Sequence, residues 1–86
     1  MEIIFLPSAE QDLAYWVKTG NKVVLKKIAA LLEDVLKHPY SGIGKPEALK
    51  YEMLGSWSRR ITLEHRLVYE VLSDEIVEVQ SARGHY

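Results

Sequence analysis

Between Gly44 and Tyr69 the chain sets two lysines, three arginines, three glutamates and a histidine among Tyr51, Trp57 and Tyr69, and it closes on Arg83-Gly84-His85-Tyr86. Carboxylate, guanidinium and imidazole are together the groups that RNA cleavage through the 2′-hydroxyl requires. A base takes that proton, cations hold the charge on the phosphorane, and an acid protonates the departing 5′-oxygen. Composition alone does not single this reaction out, since an arbitrary loop glutamate or near-terminal histidine is ordinary solvated surface. The order of the residues carries the argument.

The elements that must position these groups are legible from periodicity. Residues 1–6 read as a short apolar strand closed by Pro7. Ser8, with Gln11 three residues on, has a capping-box pattern, and Leu13, Trp16 and Val17 share one face of a helix over residues 9–18. Thr19-Gly20-Asn21 breaks it. A second helix over residues 22–37 carries Val24, Ile28, Leu31, Leu32 and Val35 as one apolar stripe, and Pro39 stops it. So short a link implies an αα-hairpin.

Residues 38–45 read as loop. Strands are expected over residues 48–54, 57–63, 66–72 and 76–83, separated by Gly55-Ser56, Glu64-His65 and Ser73-Asp74-Glu75. The expected class is α+β, a single domain over residues 1–86 in β-α-α-β-β-β-β order, with an antiparallel sheet covered on one face by the helix pair. Alternation puts Leu67, Tyr69 and Val71 on one face and Arg66, Val68 and Glu70 on the other, while Ser58, Arg60 and Thr62 share a face.

Eighty-six residues at 48% hydrophobic can build one small core, and the absence of cysteine suits a reducing, cytoplasmic setting. The N-terminus has neither the basic region of a signal peptide nor the length of a membrane span. Net charge is −1, which argues for weak non-specific RNA binding. Its distribution is uneven: residues 44–66 carry five positive and three negative side chains, whereas residues 67–86 set Arg83 against Glu70, Asp74, Glu75 and Glu78. His38, His65 and His85 lack any metal-ligand spacing, and Ser41-Gly42-Ile43-Gly44 lacks the pattern of a phosphate-binding loop. No metal and no cofactor are expected.

Five blocks in order, Gly44-Lys45-Pro46-Glu47, Leu49-Lys50, Gly55-x-Trp57-Ser58-Arg59-Arg60-Ile61-Thr62, Glu64-His65-Arg66-Leu67-Val68-Tyr69 and His85-Tyr86, resemble the YoeB/Txe-type toxins of bacterial type II toxin–antitoxin systems, a branch of the RelE-like mRNA interferases. The resemblance spans essentially the whole chain and implies the RelE-like fold. It implies a ribosome-dependent endoribonuclease that cuts mRNA in the A site, leaving a 2′,3′-cyclic phosphate (or the 3′-phosphate it opens to) and a 5′-hydroxyl. Carried over residue by residue, Glu47 is the general base, Arg66 stabilises the scissile phosphate and His85 is the general acid. Lys50 and Arg60 touch the RNA backbone, and Tyr86 shapes the substrate, as an aromatic ring can by stacking on a base. Lys45, Arg59 and Arg83 are weaker candidates, at least one of them a structural ion pair. Trp57 reads as core, and His65 as the residue that fixes a turn.

The resemblance also implies a cognate antitoxin whose disordered segment folds over the toxin. The ribosome and mRNA are further partners, operator DNA is contacted only through the antitoxin, no membrane is involved, and family members can dimerise. Gly84 stands where a bulkier or aromatic residue is common in the family, and a glycine there is expected to let the tail swing. Two rivals share the fold without the nuclease: a gyrase-binding protein of the ParE type, which lacks the Glu/Arg/His set, and an antitoxin-dependent corepressor. For His85 to act as acid it must hold its proton, and a carboxylate on Tyr86 would help it do so. A tag fused after Tyr86 should therefore lower cleavage more than an N-terminal tag, and equal rates for the two fusions would count against that role.

Overall fold

The computed structural model describes residues 1–84. The elements are β1 (Glu2–Phe5), α1 (Pro7–Lys18), α2 (Lys22–Lys37), β2 (Glu47–Ala48), β3 (Ser56–Arg60), β4 (Arg66–Ser73) and β5 (Ile76–Ser81). A single 3-10 turn, Tyr51–Met53, lies between β2 and β3. The α+β class, the element order and the helix hairpin agree with the sequence.

The five strands lie in the order β1-β5-β4-β3-β2. Strands β2 to β5 form the expected antiparallel meander, but β1 joins β5 in parallel, from Glu2 opposite Ile76 to Phe5 opposite Val79. The sheet is therefore mixed. The chain leaves β1, crosses the sheet through both helices, and re-enters at the far edge. The meander then returns β5 alongside β1 in the same direction.

Local structure differs from expectation at four places, one of them β3, which ends at Arg60 instead of running to residue 63 because the Ile61 and Thr62 N–H groups both turn to the His65 carbonyl. Leu6 caps α1 with no side-chain hydrogen bond, because Pro7 occupies the first turn with its φ preset and no N–H to satisfy. Ser8 instead donates its hydroxyl to the Gln80 carbonyl at 2.6 Å, tying α1 to β5. Asn21 starts α2 rather than ending α1, its Oδ1 accepting from the Val24 N–H at 3.1 Å, while Gly20 at φ +70° makes the break. The strand expected over 48–54 is only two residues long. The Leu49 N–H donates to the Ser56 carbonyl at 2.9 Å, so the residues between them must be loop.

The core lies between the hairpin and one sheet face. Trp16, Val24, Ile28, Leu31 and Val35 meet Leu67, Tyr69, Val77 and Val79, with Val71 packed beside them. Burying a fully covered aliphatic side chain contributes about 1.5–3 kcal/mol, so this seam dominates stability.

Arg59 enters the core from β3 with no exposed surface. All five of its N–H bonds are satisfied. Nε donates to the Tyr69 hydroxyl at 3.1 Å, Nη1 to Asp34 and to the Ile43 carbonyl at 3.1 Å, and Nη2 to the His38 carbonyl and to the Ser41 carbonyl at 2.7 Å. Tyr69 in turn donates to the Pro39 carbonyl at 2.6 Å. Asp34, 20% exposed, also accepts from the Ile43 N–H at 3.0 Å. One guanidinium thus binds the end of α2 and most of the 38–45 loop to the sheet. Arg59 is the structural ion pair expected among the three weaker candidates.

The hydrogen bond from Arg59, aided by the Ile43 N–H and the nearby positive charges, holds the Asp34 carboxyl below the usual carboxylate range against the opposing effect of burial. Burial pushes the Tyr69 phenol up, so it keeps the proton it donates. A carboxyl depressed on folding stabilises the protein above its unfolded value, near pH 4, and loses that contribution as pH falls through the folded value. Wild type should lose more stability between about pH 5 and pH 2 than Asp34→Asn, which starts lower but has no such group to protonate. Urea midpoints across that range check this, and parallel losses would reject it.

Candidate functional site

The loop held by Arg59 delivers Glu47. Gly44 lies at φ +79° with its carbonyl accepting from the Arg60 N–H at 2.7 Å. A Cβ there would stand 2.7 Å from Leu31 Cδ2 and 3.2 Å from Arg59 Cβ, so only glycine permits the loop to lie this close to α2 and β3. Lys45 follows at φ +51°, then Pro46, and Glu47 opens β2 with its side chain exposed.

The helix-free sheet face gathers the polar candidates. Glu47 stands opposite Ser58, Ser58 opposite Val68, and two residues along β3 Arg60 stands opposite Arg66. Directly opposed residues share a face, and diagonal neighbours lie roughly 7–8 Å apart. Glu47, Ser58, Arg60 and Arg66 therefore share one face, with Glu47 diagonal to Arg60 and one strand further from Arg66. Like charges opposed on a sheet repel, and the one ion pair among the described residues is that of Arg59 with Asp34. Arg66 spends Nη1 on the carbonyls of Thr62, Leu63 and His65, at 2.9, 3.2 and 3.3 Å, which aims it along the face. At the other end of β4, Glu70 stands opposite Glu78. The face is thus positive at one end and negative at the other, about 13 Å away at the rise of a strand.

Lys50 lies beyond β2, exposed, on the rim of a concavity of about 300 Å³ that Glu47, Ala48, Leu49, Tyr51 and Met53 also line. Tyr51 is 91% exposed and sits at φ +58°. Non-glycine residues avoid that region at roughly 1–2 kcal/mol each. An exposed aromatic held in strained backbone beside a candidate base was not singled out by the sequence, where it read as part of a strand. Trp57 is half-buried against the core, with the Tyr40 ring 5.0 Å away, as expected of a packing residue. Lys45 is exposed, and Arg83 lies over the Tyr15 ring, 3.5 Å from its centroid. His85 and Tyr86 lie outside the described residues. Gly84, just before them, is described. Its N–H donates to His65 Nδ1 at 2.8 Å and its carbonyl accepts from the Arg66 N–H at 3.1 Å. The chain up to that glycine is anchored beside Arg66, while the tail beyond it, which the glycine was expected to free, lies outside the described residues. Among the described residues no cluster of His, Cys, Asp or Glu could hold a metal ion.

Residues 5–86 match the family model of the YoeB-like toxin of bacterial type II toxin–antitoxin systems. The chain belongs to that family. It is similar to Toxin YoeB of Escherichia coli (strain K12), 44% identical over 86 residues with both chains covered in full. Its fold superposes on a YoeB/ParE toxin from Agrobacterium tumefaciens with a TM-score of 0.94, at 40% identity and full coverage of both chains. A YoeB–YefM complex from Staphylococcus aureus matches with a TM-score of 0.88 at 42% identity, over 100% of this chain and 98% of that one, and a YoeB dimer from the same organism matches similarly, with a TM-score of 0.89. The fold of this toxin is accordingly RelE-like. Among the described residues no helix is long and apolar enough to cross a membrane.

Tyr51→Gly should raise the urea midpoint by an amount worth up to about 1 kcal/mol, since glycine adopts positive φ freely. A fall would show that the side chain, not the backbone, sets the stability of this loop.

Proposed function

We propose that this toxin is an endoribonuclease that cleaves mRNA in the ribosomal A site. The observation that carries the reading is the opposition of Arg60 and Arg66 on the helix-free sheet face with Glu47 diagonal to Arg60, in a chain of this family. Two guanidinium groups set against each other call for an anion between them, and Arg66 offers the planar fork that meets two phosphate oxygens at once. Glu47 takes the proton of the 2′-hydroxyl and O2′ attacks phosphorus. Arg66, with Arg60 and Lys50 on the backbone, holds the charge that gathers on the phosphoryl oxygens. His85 gives its proton to the 5′-oxygen as the P–O5′ bond breaks. The products are a 2′,3′-cyclic phosphate and a 5′-hydroxyl, and Tyr86 shapes the substrate.

The negative end of the same face, at Glu70 and Glu78, and the overall charge of −1 disfavour free RNA, so the ribosome supplies much of the binding. A ribosome-dependent activity of this kind belongs to the cytoplasm. A cognate antitoxin is the protein partner that fits best, given the relative in complex with YefM, and the dimeric relative supports self-association.

The test is to map 5′ ends on a defined mRNA in reconstituted translation with wild type, Glu47→Ala, Arg66→Ala and His85→Ala. Cuts confined to the A-site codon, falling by about 10²–10³ in the variants, are expected. Translation that continues with no cleavage by wild type would overturn the reading in favour of a non-catalytic binding protein.

A further inference from the structure

Three consecutive residues after β5 are each held separately. Ala82 donates its N–H to Asp12 Oδ2 at 2.9 Å and accepts at its carbonyl from Trp16 Nε1, also at 2.9 Å. The Arg83 guanidinium lies on Tyr15, and Gly84 has its N–H on His65 Nδ1 and its carbonyl on the Arg66 N–H. The anchors come from α1 and from the start of β4, so residues 82–84 are sewn across two elements remote from them in sequence.

His65 is itself immobilised. Its carbonyl accepts from the N–H groups of Ile61 and Thr62 at 3.0 and 3.2 Å, its own N–H donates to Thr62 Oγ1 at 3.1 Å, and its imidazole meets the Trp16 indole edge-on at 4.8 Å. An imidazole accepts at Nδ1 only as the neutral tautomer with its proton on Nε2. Gly84 lies at φ +81° with nothing within 4 Å of a would-be Cβ. Backbone geometry, not lack of room, therefore calls for glycine here, and it turns the chain sharply where His65 grips it.

We infer that His65 is a positioning residue: its Nδ1 fixes Gly84, the residue that precedes His85 in sequence, beside the neighbouring Arg66. This rests on the nuclease reading, in which His85 is the acid and Arg66 holds the phosphate. His65 and Arg66 hold the two polar groups of Gly84, so the residue that leads into the proposed acid is anchored beside the proposed phosphate site. Misplacement of a reacting group by about 1 Å can cost about 10²-fold in rate, which is the scale on which such an anchor matters.

Asn and Leu are close in shape and both lack the ring that meets Trp16, but Asn alone carries an acceptor where Nδ1 stood, so His65→Asn can keep the grip on Gly84 and His65→Leu cannot. In single-turnover cleavage His65→Leu should be about 10²-fold slower than His65→Asn, with unchanged substrate affinity and a similar Tm. By amide exchange Gly84 should be protected in wild type and His65→Asn and open in His65→Leu. Nitrogen spectra of the wild-type imidazole should show Nδ1 unprotonated, a reading that needs no variant to fold. Equal rates for the two variants, with wild type active, would overturn the inference and leave the nuclease reading intact. An unprotected Gly84 or an Nδ1–H tautomer in wild type would overturn it outright. Protection that follows the acceptor in a chain that never cleaves would support the anchor and count against the nuclease reading alone.

Discussion

A single buried guanidinium organises the functional end of this molecule. Arg59 sits in the core with no exposed surface, where an unpaired charge would be prohibitive. Its five N–H bonds find Asp34, the Tyr69 hydroxyl and three loop carbonyls. Those carbonyls belong to the loop that ends at Glu47. Satisfying the cation and shaping the loop are one requirement, because the backbone that completes the coordination is also the backbone that carries the candidate base. A half-satisfied network of this kind is worse than an apolar core, so the loop has few alternatives to its observed path.

The sheet divides the remaining work between its faces. One side buries Leu67, Tyr69, Val77 and Val79 under the hairpin. The other carries Glu47, Ser58, Arg60 and Arg66 at one end and the Glu70–Glu78 pair at the other. The polarity along β4 reconciles a nearly neutral chain with an anionic substrate: what matters to a phosphate is the local field, not the net charge. The price of the arrangement is Arg60 opposite Arg66, a repulsion that exposure to water softens and that an anion would relieve.

Helix α1 serves more than the core. Trp16 packs inside, yet its indole N–H reaches the Ala82 carbonyl, and Asp12 and Tyr15 hold Ala82 and Arg83. The amphipathic pattern that marks Trp16 as a core residue is silent on this second duty, since periodicity reports which face is buried and not what a polar atom on that face will bind.

Local regularities were readable from the chain. The apolar stripe of α2 fixed its extent at residues 22–37, because five core residues at helical spacing leave no other register. Strand β4 followed from alternation. Ordered motifs around Glu47, Arg60 and Arg66 pointed to the family, and the strand register then set those three side chains on one face. Other features required the folded chain. The parallel pairing of β1 with β5 joins residues some seventy positions apart, the left-handed Tyr51 reflects a hydrogen bond from Leu49 to Ser56 that closes around it, and alternation puts Arg59 and Arg60 on opposite faces without giving the partners that let Arg59 be buried. Sequence by itself determined the two helices, the last two strands and which residue types could do the chemistry, since these depend on neighbours a few positions away. Tertiary structure alone decided that one of two adjacent arginines is buried as a scaffold while the other faces the site. That choice depends on Asp34, Tyr69 and a loop whose positions only the completed fold brings within hydrogen-bond reach.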